Sequence, residues 1–278
     1  MVKVIDLKEY KHQIYDPKVK ATAGGLVGLV KSRYTNYVSM YPIDAPIYRG
    51  ITGKEDYYIV NPATSVRLSQ NTSNEYTWLL SELPNWKQFP ARTRSLICTT
   101  DYGHAKYYGN AYVVVTPNRA SIGVCPEPDI WGSFPLLESL FPSLATLNRA
   151  IQNVIMTVLK LNYSDQHSNE FFSALKQANS LLSVPDLNPF FGYNELSDTL
   201  LQAYQTERNK KADLTFKDFL AILLDPYRNG FDLETTETIG DSLHDKTVEV
   251  WTQDVCILVR ADKYSEFIEI INPQEDNV

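Results

Sequence analysis

The sequence has 278 residues, 44% of them hydrophobic and 12% aromatic, which is enough apolar material for one large domain or a domain with a sizeable subdomain. A net charge of −7 and a pI near 5.2 argue against broad, sequence-independent binding to a nucleic-acid backbone, which requires clustered Lys and Arg. Three widely separated cysteines without a CxxC spacing suggest neither a disulfide framework nor a zinc site, and no metal site is predicted.

The beginning of the sequence lacks the pairing of a basic start with a long apolar run that is typical of a signal peptide. No apolar stretch approaches the roughly 18 to 20 residues that a membrane span requires. We therefore expect a cytoplasmic protein, of a bacterial cell or a host cell, with no membrane partner.

Residues 1–44 are predicted to form an N-terminal helical layer, with a helix in the small-residue run at 21–30. From residue 45 onward, short runs rich in β-branched and aromatic residues predict the strands of a mixed sheet. These runs are Pro46–Gly50, Tyr57–Val60, Arg94–Thr100, Ala111–Thr116 and Ser121–Cys125. Helices are predicted between them at Asn74–Leu83 and Tyr102–Gly109.

A block of helical patterns follows, and strands return after it. The predicted helices are Leu136–Leu161, Asn169–Leu182, Glu195–Arg208 and Phe216–Leu224, the last opened by a capping-box-like Thr215 and Asp218. The predicted final strands are Thr247–Trp251, Val255–Arg260 and Phe267–Ile271. We therefore predict an α+β fold: a split mixed or antiparallel sheet core built from 45–134 and 233–278, with a large helical insertion at 135–232.

Three polar features interrupt apolar strands where a core strand would favour Val or Ile. They are Arg49, the hydroxyls between Ser95 and Thr100, and Glu249. A buried charge is costly unless it is paired, so an Arg and a Glu within strands require partners or a ligand.

The order of these features resembles the arginine–serine–glutamate (cholera-toxin-like) class of mono-ADP-ribosyltransferases. Arg49, in Tyr48-Arg49-Gly50, matches the arginine of the first core strand, and Cys98-Thr99-Thr100 aligns with the Ser-Thr-Ser triplet. Glu249 matches the catalytic glutamate. The resemblance implies an ADP-ribosyltransferase-like sheet core with NAD as substrate.

The chemistry of NAD cleavage suits these residue types. Arginine binds phosphate through two parallel hydrogen bonds, and a carboxylate beside the ribose stabilises the oxocarbenium-like transition state. The resemblance implies Glu249 as the catalytic residue. It implies NAD binding by Tyr48, Arg49, Gly50, Cys98, Thr99, Thr100 and Tyr108, with the tyrosines positioned to stack on the nicotinamide.

The predicted function is transfer of ADP-ribose from NAD to a macromolecular acceptor, a protein side chain or a nucleobase of RNA or DNA. Enzymes of this kind are often toxins or phage and anti-phage effectors, so an antitoxin or chaperone is a possible further partner. Cys98 replaces the usual first Ser, and Thr247 replaces the Glu or Gln typical of arginine-modifying members, which argues against an arginine acceptor. The alternatives are an NAD glycohydrolase and a non-catalytic interaction protein that retains the fold.

Each candidate residue also has a structural interpretation. Arg49 could form an ion pair at a strand end, Glu249 could face solvent between two valines, and the threonines could be ordinary strand residues. Arg92 and Arg94 are most simply interpreted as solvated loop charges, and the alternative is that they contact phosphate or an acceptor. Cys98 and His104 could form a thiol hydrolase pair, but no orienting Asn or Asp is identifiable.

Overall fold

The computed structural model describes residues 3–6, 14–15, 23–40, 46–64, 66–67, 74–164, 167–243 and 246–271. The chain forms two compact units: a sheet unit of Met1–Arg67, Gln88–Asp129 and Phe231–Val278, and a helical unit of Leu68–Lys87 and Ile130–Gly230. The predicted α+β class is confirmed, because helices are combined with a largely antiparallel sheet. The helical unit differs from the predicted insertion at 135–232 in that its main segment is 130–230 and it also includes 68–87.

The described strands all lie in the sheet unit. They are β1 Lys3–Asp6, β2 Ile14–Tyr15, β3 Tyr48–Ile51, β4 Tyr57–Val60, β5 Leu96–Thr99, β6 Asn110–Val115, β7 Ser121–Val124, β8 Asp232–Thr235, β9 Glu249–Thr252 and β10 Cys256–Arg260. Their order across the sheet is β2-β1-β4-β10-β6-β3-β5-β9-β7-β8, and β1 and β4 pair in parallel while the other neighbours are antiparallel.

Strand pairing is shortest at the junction of β3 and β5, which is called the narrow junction below. Between β3 and β5 the register of the described residues consists of one pair, Tyr48 with Thr99, whereas β3 forms four pairs with β6 and β5 forms four with β9. The sheet is therefore divided into two well-paired halves that meet at Tyr48 and Thr99.

Helices lie in both units. They are α1 Ala23–Arg33, α2 Thr35–Met40, α3 Glu75–Glu82, α4 Tyr102–Tyr107, α5 Leu144–Gln152, α6 Ser168–Leu181, α7 Glu195–Lys210, α8 Phe216–Leu223, α9 Ile239–Leu243 and α10 Tyr264–Ile271. The helical unit contains α3 and α5 to α8, and the sheet unit contains the others. Across the described residues, no helix combines the length and apolar character needed to cross a membrane.

Predictions for the N-terminal segment and the final strand differ from the structure. The helix predicted at 21–30 corresponds to α1, but β1 and β2 precede it, so the described part of 1–44 is not purely helical; the remainder lies outside the described residues. The strand predicted at 267–271 is wrong, because this segment belongs to α10. Tyr264, Phe267 and Ile271 are buried at the i, i+3, i+7 spacing of one helix face, which a five-residue window does not reveal.

The core of the sheet unit is formed where apolar residues cover the central strands. Neighbouring residues on β6 and β10 are buried on both faces, as expected for strands with helices packed against them. The covering side chains include Leu26 and Val30 of α1 and Phe267 of α10. This packing fixes the sheet whose middle strands carry the candidate site.

Helix ends in the helical unit follow sequence signals. The Thr215 hydroxyl accepts a hydrogen bond from the Asp218 N–H at 3.1 Å, which confirms the predicted cap of α8. The single helix predicted over 136–161 is instead a 3-10 turn, then α5 capped by Ser143, then a π-helix at Asn153–Val158. Pro142 and Ser143 interrupt the pattern and start a new helix.

Candidate functional site

Three neighbouring strands carry the polar residues singled out in the sequence. Arg49 is on β3, Thr99 is on β5 and Glu249 is on β9, and these strands are consecutive in the sheet. Thr99 lies opposite Tyr48 on one side and opposite Glu249 on the other. With strands about 4.8 Å apart, the row from Tyr48 to Glu249 spans about 10 Å.

The pleat separates the triplet residues between the two faces of the sheet. Thr99 and Glu249 are a register pair and so share a face, whereas Cys98 pairs with Val250 and lies with it in the hydrophobic core. Burial raises the pKa of the Cys98 thiol to about 12, an effect that the positive charge of Arg49 opposes and the Glu249 carboxylate adds to. Cys98 is therefore a protonated core residue, and the structure does not bring it to the face of Thr99.

The two threonine hydroxyls organise the backbone around the site. The Thr100 hydroxyl donates to the Lys246 carbonyl at 2.6 Å and accepts from the Val248 N–H at 2.9 Å, which links the end of β5 to the segment entering β9. The Thr99 hydroxyl accepts from the Asp101 N–H at 3.1 Å. Asp101 in turn caps α4 by accepting from the His104 N–H at 2.8 Å.

Arg49 lies at the narrow junction between the two halves of the sheet, and because it follows Tyr48 by one residue it projects from the face opposite Tyr48, Thr99 and Glu249. Its Nη1 donates to the Ile97 carbonyl on β5 at 2.7 Å. Its Nε is buried, and no described residue accepts a hydrogen bond from it. A guanidinium with an unmet donor can bind an anionic oxygen, and phosphate is the group whose geometry fits it best.

Gly50 has a packing reason to be glycine. A Cβ at this position would lie 1.9 Å from the Ala105 carbonyl oxygen and 2.9 Å from the Cβ of Tyr108. The absence of a side chain allows α4 to pack directly on β3. Gly50 thus positions Tyr108, whether or not its own backbone contacts a ligand.

Aromatic rings surround α4. The Tyr48 and Tyr102 rings meet edge to face with centroids 5.5 Å apart, and Tyr108 contacts Tyr107 at 5.4 Å and His104 at 5.5 Å. Tyr102, Tyr107 and Tyr108 are exposed, and Tyr48 is half-buried. A flat ligand bound beside Thr99 would therefore have aromatic surfaces available for stacking.

Glu249 forms an ion pair that the sequence analysis did not predict. Its Oε1 lies 2.7 Å from Nη2 of Arg92, and the Cys125 thiol is 3.7 Å from the same oxygen. The Arg92 side chain is 2% exposed and the Glu249 side chain 15% exposed. The interpretation of Arg92 as a solvated loop charge is wrong, whereas Arg94 is exposed as expected. The available signal was the Glu249 charge itself, which required a cation; nothing in the spacing identified which one.

The geometry does not support a thiol hydrolase site at Cys98 and His104. His104 is exposed on α4, whereas Cys98 lies in the core with a raised thiol pKa, so the two do not form a nucleophile and base pair. Within the described residues, no group of three or more His, Cys, Asp or Glu side chains could hold a metal ion. Comparison of the chain with protein-family models, curated proteins and solved structures finds no match.

Proposed function

We propose that this protein is a mono-ADP-ribosyltransferase that cleaves NAD and transfers ADP-ribose to a macromolecular acceptor. The observation that carries the proposal is the adjacency of β3, β5 and β9, which bear Arg49, Thr99 and Glu249 in the order that the resemblance requires. These residues are far apart in the sequence, so their placement on three neighbouring strands supports a common site at the β3–β5 junction, which Arg49 reaches from the face opposite Thr99 and Glu249. The narrow junction beside Thr99 is compatible with the split sheet of an ADP-ribosyltransferase-like core.

In the proposed complex, the half-buried Arg49 binds the NAD pyrophosphate through guanidinium N–H groups other than the Nη1 donor that is already bonded to the Ile97 carbonyl. Tyr48 and Tyr108 supply aromatic surfaces for the nicotinamide ring. Thr99 lies between Tyr48 and Glu249 in the register. Thr100 contributes indirectly, because its hydroxyl bonds to Lys246 and Val248 in the segment that precedes Glu249. Cys98 contributes through its packing in the hydrophobic core.

The proposed reaction breaks the bond between ribose C1 and the nicotinamide nitrogen. The bonding electron pair goes to the nicotinamide, which leaves as a neutral ring, and positive charge develops on the ribose. The Glu249 carboxylate accepts a hydrogen bond from a ribose hydroxyl and stabilises that charge. A nucleophilic atom of the acceptor then bonds to C1 and releases its proton to solvent.

The test uses NAD labelled in the adenylate portion, with and without cell lysate. We expect the wild-type protein to release nicotinamide and to label a macromolecule, and Glu249→Gln to do both at least about 100-fold more slowly. Glu127→Gln, at an exposed position, is the matched control and retains the wild-type rate. Equal rates for the wild type and Glu249→Gln, or no nicotinamide release by the wild type, would refute the proposal.

The fate of the label identifies the acceptor. Label that survives protease and is lost on nuclease treatment indicates a nucleobase of RNA or DNA, and the opposite pattern indicates a protein side chain. Nicotinamide release without any labelled macromolecule indicates that water is the acceptor and that the protein is an NAD glycohydrolase.

A further inference from the structure

A buried tryptophan on the catalytic strand of the proposed site anchors the segment that carries Arg92. The indole N–H of Trp251 donates to the Pro90 carbonyl at 2.8 Å. The Phe89 ring stacks on Trp251 with centroids 6.1 Å apart, and the Arg92 guanidinium lies 4.9 Å from the centre of the indole ring. Trp251 is two residues beyond Glu249, so it and Glu249 project from the same face of β9. Residues 89–92 are therefore held at two points of β9: Trp251 contacts Phe89, Pro90 and Arg92, and Glu249 forms the ion pair with Arg92.

Two further hydrogen bonds, which do not involve β9, fix the backbone on either side of Arg92. The Ser95 hydroxyl donates to the Ala91 carbonyl at 2.8 Å, and the Thr93 carbonyl accepts from the Arg67 N–H at 2.6 Å. Arg92 thus reaches Glu249 from a fixed 3-10 turn, Arg92–Arg94, rather than from a flexible loop. Its 2% exposure shields the pair from solvent and salt.

Glu249 needs such a partner because a largely buried carboxylate is costly without a cation. Thr99 accepts from the Asp101 N–H, and Thr100 donates to the Lys246 carbonyl. The contacts of Glu249 to Arg92 and Cys125 both involve Oε1, and neither involves the second oxygen, Oε2. A charge-assisted hydrogen bond to one oxygen fixes the side-chain torsions of a glutamate and with them the direction of the other oxygen.

We infer that Arg92 is a positioning residue: it holds Oε1 of Glu249 so that Oε2 is directed at the ribose of NAD. The inference rests on the proposed function. It predicts that loss of the guanidinium lowers kcat and leaves KM nearly unchanged, because Arg92 acts on the orientation of Glu249 and not on NAD binding.

The experiment measures kcat and KM for nicotinamide release by wild type, Arg92→Met, Arg92→Lys and Arg94→Ala. Methionine retains an apolar stem against Trp251 without the charge, and Arg94 is an exposed arginine of the same turn, which makes it the matched control. We expect kcat to fall about 10- to 100-fold in Arg92→Met with KM within about threefold, to fall less in Arg92→Lys, and to stay unchanged in Arg94→Ala.

A double-mutant cycle separates positioning from a general effect on the fold. If Arg92 acts through Glu249, Arg92→Met lowers the rate of the wild type but not the residual rate of Glu249→Gln. The inference is overturned if Arg92→Met lowers the rate by the same factor in the wild-type and Glu249→Gln backgrounds. It is also overturned if the kcat of Arg92→Met equals or exceeds that of the wild type. If that variant does not fold, Arg92→Lys decides: a lowered kcat at unchanged KM supports the inference, and wild-type constants overturn it.

The two proposals fail in distinguishable ways. Absence of nicotinamide release by the wild-type protein overturns the proposed function and this inference with it. Release by the wild type that depends on Glu249 but is insensitive to Arg92 overturns this inference alone.

Discussion

Two carboxylates, one partly buried in the sheet unit and one fully buried in the helical unit, are stabilised by different means. Glu249 of the sheet unit retains some exposure and is paired with the cation of Arg92. Glu75 of the helical unit is fully buried and accepts hydrogen bonds from neutral donors: Tyr163 at 2.7 Å, Gln152 at 2.8 Å and Asn148 at 3.3 Å. Among the described residues, no Lys or Arg forms an ion pair with Glu75.

This difference separates a structural carboxylate from a candidate catalytic one. The oxygens of Glu75 face groups from α5 and the Tyr163 segment, so the carboxylate joins α3 to the rest of the helical unit. It is enclosed, and a ligand could reach it only by displacing these donors. Glu249 is held from one side and lies next to Thr99 at the edge of the narrow junction of the sheet. We therefore expect Glu249 to control activity and Glu75 to control stability.

The largest expected effect is on activity. Glu249→Gln lowers kcat for nicotinamide release about 100- to 1,000-fold, because a neutral amide stabilises developing positive charge poorly. Glu75→Gln leaves kcat within about twofold, since it lies in the packing of the helical unit. The two rates are measured side by side on folded protein, and a comparable loss in Glu75→Gln would remove the distinction between the two carboxylates.

The next effect is on the stability of the helical unit. Glu75→Ala leaves one buried donor, on Asn148, and two partly buried donors, on Gln152 and Tyr163, without this acceptor, and lowers the free energy of unfolding by about 3 kcal/mol. Urea denaturation followed by circular dichroism measures it. Glu82→Ala, at an exposed position of the same helix, is the control and changes stability by less than about 0.5 kcal/mol. A Glu75→Ala value as small as the control's would show that the network does not stabilise the fold.

A smaller effect on stability is expected at Gly123, which packs against the Trp251 ring that contacts Arg92. A Cβ at Gly123 would lie 2.2 Å from the Trp251 ring, so Gly123→Ala forces the indole to shift. We expect a loss of about 2 kcal/mol in thermal unfolding, together with a fall in kcat as Arg92 moves with the ring. Gly28→Ala, an exposed helical position with open space around it, serves as the control and is neutral or slightly stabilising. Unchanged unfolding and kcat in Gly123→Ala would contradict the coupling of Trp251 to Arg92.

The smallest effect concerns one hydrogen bond of the Glu75 network. Tyr163→Phe removes the shortest of the three and is expected to reduce the free energy of unfolding by about 1 kcal/mol. Urea denaturation provides the measurement. In the Glu75→Ala background the same substitution has little further effect, because its acceptor is already absent. If the losses in free energy of unfolding caused by Tyr163→Phe and Glu75→Ala are additive, the Tyr163 hydroxyl does not stabilise the fold through Glu75.

Sequence patterns predicted the elements of the sheet unit well where periodicity was local and strong. β4 has the predicted bounds, and β5, β6, β7 and β10 differ from their predicted runs by one or two residues at one or both ends. The exceptions are β1, β2, β8 and α9, which no pattern predicted, and α10. In α10 a run of β-branched and aromatic residues was interpreted as a strand although its buried positions follow helical spacing. Propensity over five residues is a weaker determinant than the face that the whole segment buries.

Chain organisation was less predictable than the individual elements. The helix at Asn74–Leu83 was predicted, but its membership of the helical unit was not, because its contacts are with residues far along the chain such as Gln152 and Tyr163. Nothing local in the sequence carries that information.

The sequence by itself determined the α+β class, most strands and helices, and three polar features that did not suit apolar strands. Only the tertiary structure decided that β3, β5 and β9 are neighbours, that Cys98 faces the core, and that Arg92 is the cation of Glu249. The physical reason is range. Propensity, capping and pleat alternation act over a few residues, whereas strand order and the pairing of buried charges depend on how distant segments pack.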